Sequence, residues 1–237
     1  MATRLYFRSA SSGLSDLPTT EQSTLTNNKV VDALTVNRTL SETIGTGQTS
    51  LVLASNATTS QQNYYYSRFV SDELNMASLP AQTWTYNFAT RQTNLGGNFP
   101  TGGSNQPVYV NCYVWRPSTT TKVGTVLDGN SASAYDEIAA NAERVGHGTF
   151  SGAAVNSMAA NDVLVFEVWF RITQASATSY TLTWFYEGTT ANVTKNTTVT
   201  NHASFIESPQ NFTFFIPPIV ATPNAVVKVH PKPIAIV

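Results

Sequence analysis

The sequence predicts an all-β protein: an antiparallel, jelly-roll-like β-sandwich with one short helix and extended N- and C-terminal arms. Three observations lead there. Residues 163–172 alternate with period two, Leu164, Phe166, Val168, Phe170 and Ile172 on one face and Val163, Val165, Glu167, Trp169 and Arg171 on the other. Residues 108–115 and 180–187 alternate in the same way. The segments between such runs are short, irregularly spaced and rich in Gly, Pro, Asn and Ser, with no period of a solenoid or propeller.

In chain order, Arg4–Arg8 reads as a first strand, and residues 9–30, polar and carrying Pro18, read as an irregular arm. Arg38–Thr43 and Thr49–Ala54 are weaker strands expected to pair at an edge. Tyr64–Val70 is a strand, and after the Leu79-Pro80 break Trp84, Tyr86 and Phe88 alternate with Thr83, Thr85 and Asn87 in the next. Four glycines and a proline make residues 95–105 a loop, and no Gly-Lys-Ser/Thr follows to make it a phosphate cradle.

Val108, Val110, Cys112 and Val114 face inward in a strand that Pro117 ends, and Lys122–Leu127 follows. Ser133–Glu143 is the expected helix, with a serine cap, acids in its first turn and Gly146 beyond its end. Arg144–Val155 reads as a glycine-kinked strand. An Asn161-Asp162 turn opens the central strand, whose five inward side chains contribute roughly 8–15 kcal/mol when fully buried, before entropy. Tyr180–Tyr186 is expected as its hairpin partner, and Phe205–Phe215 as the last strand. This divides the chain into an N-terminal strand and arm (1–30), a sandwich (31–215) and a C-terminal arm (216–237).

Composition bounds the function. Charged residues make up 11% of the 237, with Thr, Ser and Asn filling polar positions, and the net charge is −1. A nucleic-acid partner is not expected without a basic stripe, and no apolar run approaches the ~18 residues of a membrane span. The first residues lack the apolar core of a signal peptide. One cysteine, Cys112, leaves no intrachain disulfide and reads as a small core hydrophobe.

Catalytic chemistry is not expected, nor a metal or other cofactor. His147, His202 and His230 are far apart in sequence and in no ligand spacing, and Ser151 lacks the Gly-x-Ser-x-Gly elbow. Glu167 and Glu187 sit at comparable points of two strands expected to be neighbours, with Trp169 and Trp184 near, so a sugar platform with paired carboxylates has to be weighed. A polar face partly covered by a neighbouring element is the plainer reading. Asn-x-Ser/Thr triplets at Asn37, Asn56, Asn192, Asn196 and Asn211 follow from composition.

Several segments, in order, resemble a family of structural proteins of tailed-bacteriophage virions. Arg4-Leu-Tyr-Phe-Arg8 resembles that family's Arg-Leu-Tyr-Leu-Arg start, and residues 69–83 its Phe-Val-Ser-Pro-Pro-Leu-Ala-Ala-Gln-Thr segment with insertions. Val108–Pro117 is similar to Val-x-Val-x-Val-x-Arg-Pro. Residues 161–168 are similar to Gly-Asp-Arg-Leu-Val-Val-Glu-Ile, with Asn161 in place of Gly. Leu182–Gly188 resembles a Leu-x-Tyr-Gly ending, and Ala203–Glu207 resembles Ala-Ser-Trp-Ile-Glu. The resemblance implies a structural protein of the particle, located in the virion, and carries over no catalytic residue.

Residues 216–237 have no counterpart in that family. They hold five prolines, Lys228 and Lys232 and no acid, and are too apolar to prefer solvent. Two placements compete: a last strand on the chain's own sandwich, or an arm lying on a neighbouring subunit. The second makes Ile219, Val220, Val226, Val227, Lys228, Val229, Lys232, Ile234 and Ile236 the partner-binding residues. The expected partners are then further copies of the chain, as a homotrimer, and the major capsid protein, which a decoration or cement protein would clamp. The alternative expectation is a tail or fibre module that binds glycans.

Overall fold

In the computed structural model, the structure describes residues 2–18, 28–31, 33, 35–55, 62–93, 108–128, 142–172, 180–192 and 200–215. The fold over these residues is all-β, with twelve strands in one mostly antiparallel sheet. In chain order they are β1 (Thr3–Ser11), β2 (Asn28–Val30), β3 (Asn37–Ser41), β4 (Thr49–Ser55), β5 (Gln62–Ser71) and β6 (Gln82–Thr93). Then come β7 (Val108–Arg116), β8 (Thr121–Leu127), β9 (Arg144–Gly152), β10 (Val163–Ile172), β11 (Tyr180–Tyr186) and β12 (Phe205–Ser208). The expected helix over residues 133–143 lies outside the described residues except for Ala142 and Glu143, which are not helical, and the glycine loop lies outside them entirely.

β10 is the inner strand its alternation demands, hydrogen-bonded to β5 on one side and β7 on the other. The path runs β4-β11-β6-β12-β1-β3-β5-β10-β7-β8, with β9 on β6 and β2 on β5. The pairs β2·β5 and β3·β5 are parallel.

The sheet curls over itself into a sandwich-like body because its apolar faces must meet. Trp184 of β11 lies 6.4 Å from Phe170 of β10 and 5.5 Å from Phe69 of β5, and Trp84 of β6 lies 5.7 Å from Phe166 (ring centroids). On the side away from β4, the Ala153 amide after β9 donates to the Val126 carbonyl of β8 at 2.7 Å. Gly124 is small there for a reason, since a Cβ would stand 2.9 Å from a Val155 methyl.

Pairings differ from expectation in three places. Tyr180–Tyr186 pairs with β4 and β6, not with β10, and faces β10 across the core instead. β3 and β4 do not pair with each other; β3 joins β1 to β5, and β4 ends the sheet beside β11. The last strand is shorter than expected, Phe205–Ser208, paired through four residues with β1 and three with β6, and beyond it Phe214 makes only an isolated bridge to Leu74.

The expected start of an N-terminal arm is part of the body. β1 runs between β12 and β3. The following residues bring Leu14 and Leu17 onto Val70, Tyr113, Trp115, Val163 and Val165. That second cluster covers Val163 and Val165 on the outer face of β10, and Glu167 and Trp169 beyond them are buried too, so residues 163–170 are buried on both faces.

Candidate functional site

The nine tail residues expected to bind a partner all lie outside the described residues; what is described is the root from which they extend. The Asn75 amide donates to the Thr213 carbonyl and the Phe215 amide to the Glu73 carbonyl, each at 2.7 Å. Leu74 bridges Phe214 on one side and Asp162 on the other. Phe212 is buried against Trp84 and holds Phe214 at 6.3 Å, so the chain is fixed to the body up to Phe215. Beside this root a cavity of about 150 Å³ is lined by Ser12, Leu14, Ser71, Asp72, Glu73, Pro117 and Val163.

Among the described residues, four arginine–carboxylate pairs tie together segments that are remote in sequence. Arg4 Nε meets Glu207 Oε2 at 2.7 Å, and its guanidinium lies 4.0 Å from the Phe205 ring. Arg8 Nε meets Glu187 Oε1 at 3.2 Å, while the Ser9 amide donates to Glu187 Oε2. Arg116 takes both oxygens of the buried Asp162. Arg68 and Glu167, both buried, stand 3.8 Å apart. Each of the first three pairs joins two of the motifs that carry the virion-protein resemblance. Those motifs therefore encode contacts of the fold.

The structure does not bring Glu167 and Glu187 together. β10 and β11 are not neighbours, and each carboxylate is engaged by its own arginine. Trp84, Trp115, Trp169 and Trp184, the four tryptophans of the chain, are all buried, so none offers a face to a sugar. Cys112 is buried, and burial alone pushes its thiol pKa well up, away from a reactive thiolate.

Two of the three histidines, remote in sequence, meet in the fold. β6 pairs with β9 and lies beside the chain entering β12, which places His147 and His202 on either side of Asn87. His202 Nε2 donates to Asn87 Oδ1 at 2.6 Å, and Asn87 Nδ2 donates to His147 Nε2 at 2.8 Å. His202 is fully buried. Burial first, and His147 second, lower its pKa to about 4, with the Thr190 backbone opposing them, so it is neutral near pH 7. Glu143, whose carboxyl pKa burial raises, accepts from Gln48 at 2.6 Å and from the His202 backbone. Nothing local in the sequence signals this cluster, since 60 and 115 residues separate its members.

Among the described residues no group of three or more His, Cys, Asp or Glu could hold a metal ion, and no helix is long and apolar enough to cross a membrane. No family model matches the chain, and no curated protein matches it.

Proposed function

We propose that this chain is a non-enzymatic structural protein of a bacteriophage virion, and specifically a capsid decoration protein that clamps neighbouring major-capsid subunits. The observation that carries the reading is the tail root. A body braced by arginine–carboxylate pairs holds the chain to Phe215, a fixed point after which the sequence is acid-free, apolar and proline-rich. Such a segment gains by lying in a neighbour's groove or along its sheet edge. The low charge of the chain suits an interface built on area rather than on steering. The resemblance to virion proteins rests on motifs that pair with one another in the fold, which favours a shared architecture over chance matches. We read that architecture as a jelly-roll variant, with the parallel pairs β2·β5 and β3·β5 as its departures from an all-antiparallel roll.

The test compares the full chain with a version ending at Phe215, each mixed with undecorated capsid shells and sedimented. The full chain should co-sediment near saturating stoichiometry and the shortened one should stay in the supernatant. If the full chain also stays in the supernatant, the decoration reading fails. Burial of all four tryptophans gives the glycan-binding alternative no support from those side chains.

A further inference from the structure

We propose that β4 is a receptor edge, and that residues 224–230 of a second copy of this chain add to it as an extra strand. The inference deepens the decoration reading, on which it rests for the use of the tail as a contact device.

Among the described residues four strands have a single ladder partner: β8 and β4 at the ends of the path, and β2 and β9 off it. β2 is three residues long, and β9 carries Arg144 and runs into Ala153, whose amide bonds to β8. β8 is protected. Its register against β7 shifts twice, it carries Lys122, and its Val126 carbonyl is occupied by the Ala153 amide. β4 has none of these devices among the described residues. It pairs with β11 through seven residues, from Ser55 against Tyr180 to Thr49 against Tyr186, without a shift. Its sequence, Thr-Ser-Leu-Val-Leu-Ala-Ser, has no charge and no proline. Val52, 52% exposed, is the one large hydrophobic side chain exposed among the described residues. An uncharged, unbulged edge presents a row of open backbone donors and acceptors, and natural proteins cover such edges.

The tail contains one segment of matching length. Proline cannot donate to a ladder, so Pro217, Pro218, Pro223, Pro231 and Pro233 cut the tail into pieces. Residues 219–222 and 234–237 are too short to match β4, whereas residues 224–230, Asn-Ala-Val-Val-Lys-Val-His, give seven uninterrupted donors. Val226, Val227 and Val229 are β-branched, as a strand prefers, and Lys228 supplies the charge that β4 lacks.

The arrangement favours a neighbour over the chain's own edge. The root is held by Glu73–Asn75, which follow β5, whereas β4 continues β11 in the opposite layer. Pro217 and Pro218 directly after Phe215 and Ile216 favour an extended exit over a return across the body. Extended, residues 216–223 span roughly 26–29 Å, which sets how far from the root the seven-residue segment can begin. Identical copies supply one such segment for every edge, so the exchange can close into a ring.

The experiment follows hydrogen exchange of the β4 amides in the full chain and in full-chain Val227→Pro, at high concentration and after hundredfold dilution, with no shells present. Val227→Pro removes a donor from the segment beyond Phe215 and leaves the body residues unchanged. In the parent the outward β4 amides should be protected, and should lose that protection on dilution. In the variant they should exchange at least tenfold faster at high concentration. Equal exchange in parent and variant overturns the proposal, because the segment then does not cover the edge. Protection that the variant loses but dilution does not change also overturns it, because the chain's own tail is then the occupant. Either failure leaves shell binding to be judged by sedimentation alone.

Discussion

Arg116 grips Asp162 through two hydrogen bonds, Nε to Oδ1 at 2.8 Å and Nη2 to Oδ2 at 2.9 Å. The carboxylate is fully buried and also accepts the Ala159 amide at 2.8 Å, while its backbone carbonyl accepts the Leu74 amide. Asn161, just before it, has a positive φ of 71°, which Gly or Asn adopts readily, so an Asn fits where the virion-protein motif has Gly. The turn, the end of β7 and the tail root thus share one anchor. Asp162→Ala should lower unfolding stability by about 2–3 kcal/mol, as expected for losing charge-assisted bonds at a buried site. Urea unfolding measures it, and a loss within error of zero would show that the anchor contributes nothing.

Glu167 separates a structural from a catalytic role. Its Oε2 accepts Asn111 at 3.4 Å and its Oε1 faces Arg68 at 3.8 Å, while Arg68 also donates to Asn37 and to the Pro18 carbonyl. Removing one member of a buried pair leaves the other charged and poorly compensated. Glu167→Ala should therefore cost about 3–5 kcal/mol. A variant as stable as the parent by denaturant titration would refute this role and reopen the search for chemistry at the site.

The same residue shows what the sequence can and cannot tell. The inward face of β10 is legible because period-two alternation reports one apolar side directly: Leu164, Phe166, Val168 and Phe170 are all buried. Its outer face is legible only as a polar side covered in part. Over Val163 and Val165 the cover comes from Leu14 and Leu17, which lie about 150 residues earlier and have no strand pattern of their own. Alternation also identifies a strand without naming its partner. That is why sequence order suggests β11 beside β10, when Trp184 packs across the core on Phe170 instead. The Asn87–His147–His202 contact is illegible for a further reason: it exists only after β6, β9 and the approach to β12 have assembled.

Gly188 is required by close approach of two backbones. A Cβ there would collide with the Asn201 carbonyl and with the His202 backbone, and neither can move aside as a side-chain tip could. Gly188→Ala should destabilise by roughly 1–3 kcal/mol or more. Gly47, where an added methyl would stand in open space, is the control: Gly47→Ala should be neutral or stabilise by up to ~1 kcal/mol. Thermal melts of the two variants side by side check the contrast, and similar melting points would contradict it.

His202 should make stability depend on pH between about 4 and its ordinary 6.5. Its folded pKa lies below the unfolded one, so in that window the unfolded chain binds more protons. Stability is then complete above the unfolded pKa and falls as pH drops toward 4, by up to about 3 kcal/mol over the 2.5-unit gap. Protonation would put a charge in a buried site beside His147, which the Thr190 backbone offsets only in part. Glu143 acts with the opposite sign: burial raises its pKa, so its protonation favours the fold as pH falls, although Gln48, the His202 backbone and Arg91 offset part of that. The difference between parent and His202→Gln isolates the histidine, because glutamine can still donate to Asn87 Oδ1 and does not titrate. Denaturant titrations across this range should show a steeper loss in the parent, and parallel curves would exclude His202 as the titrating group.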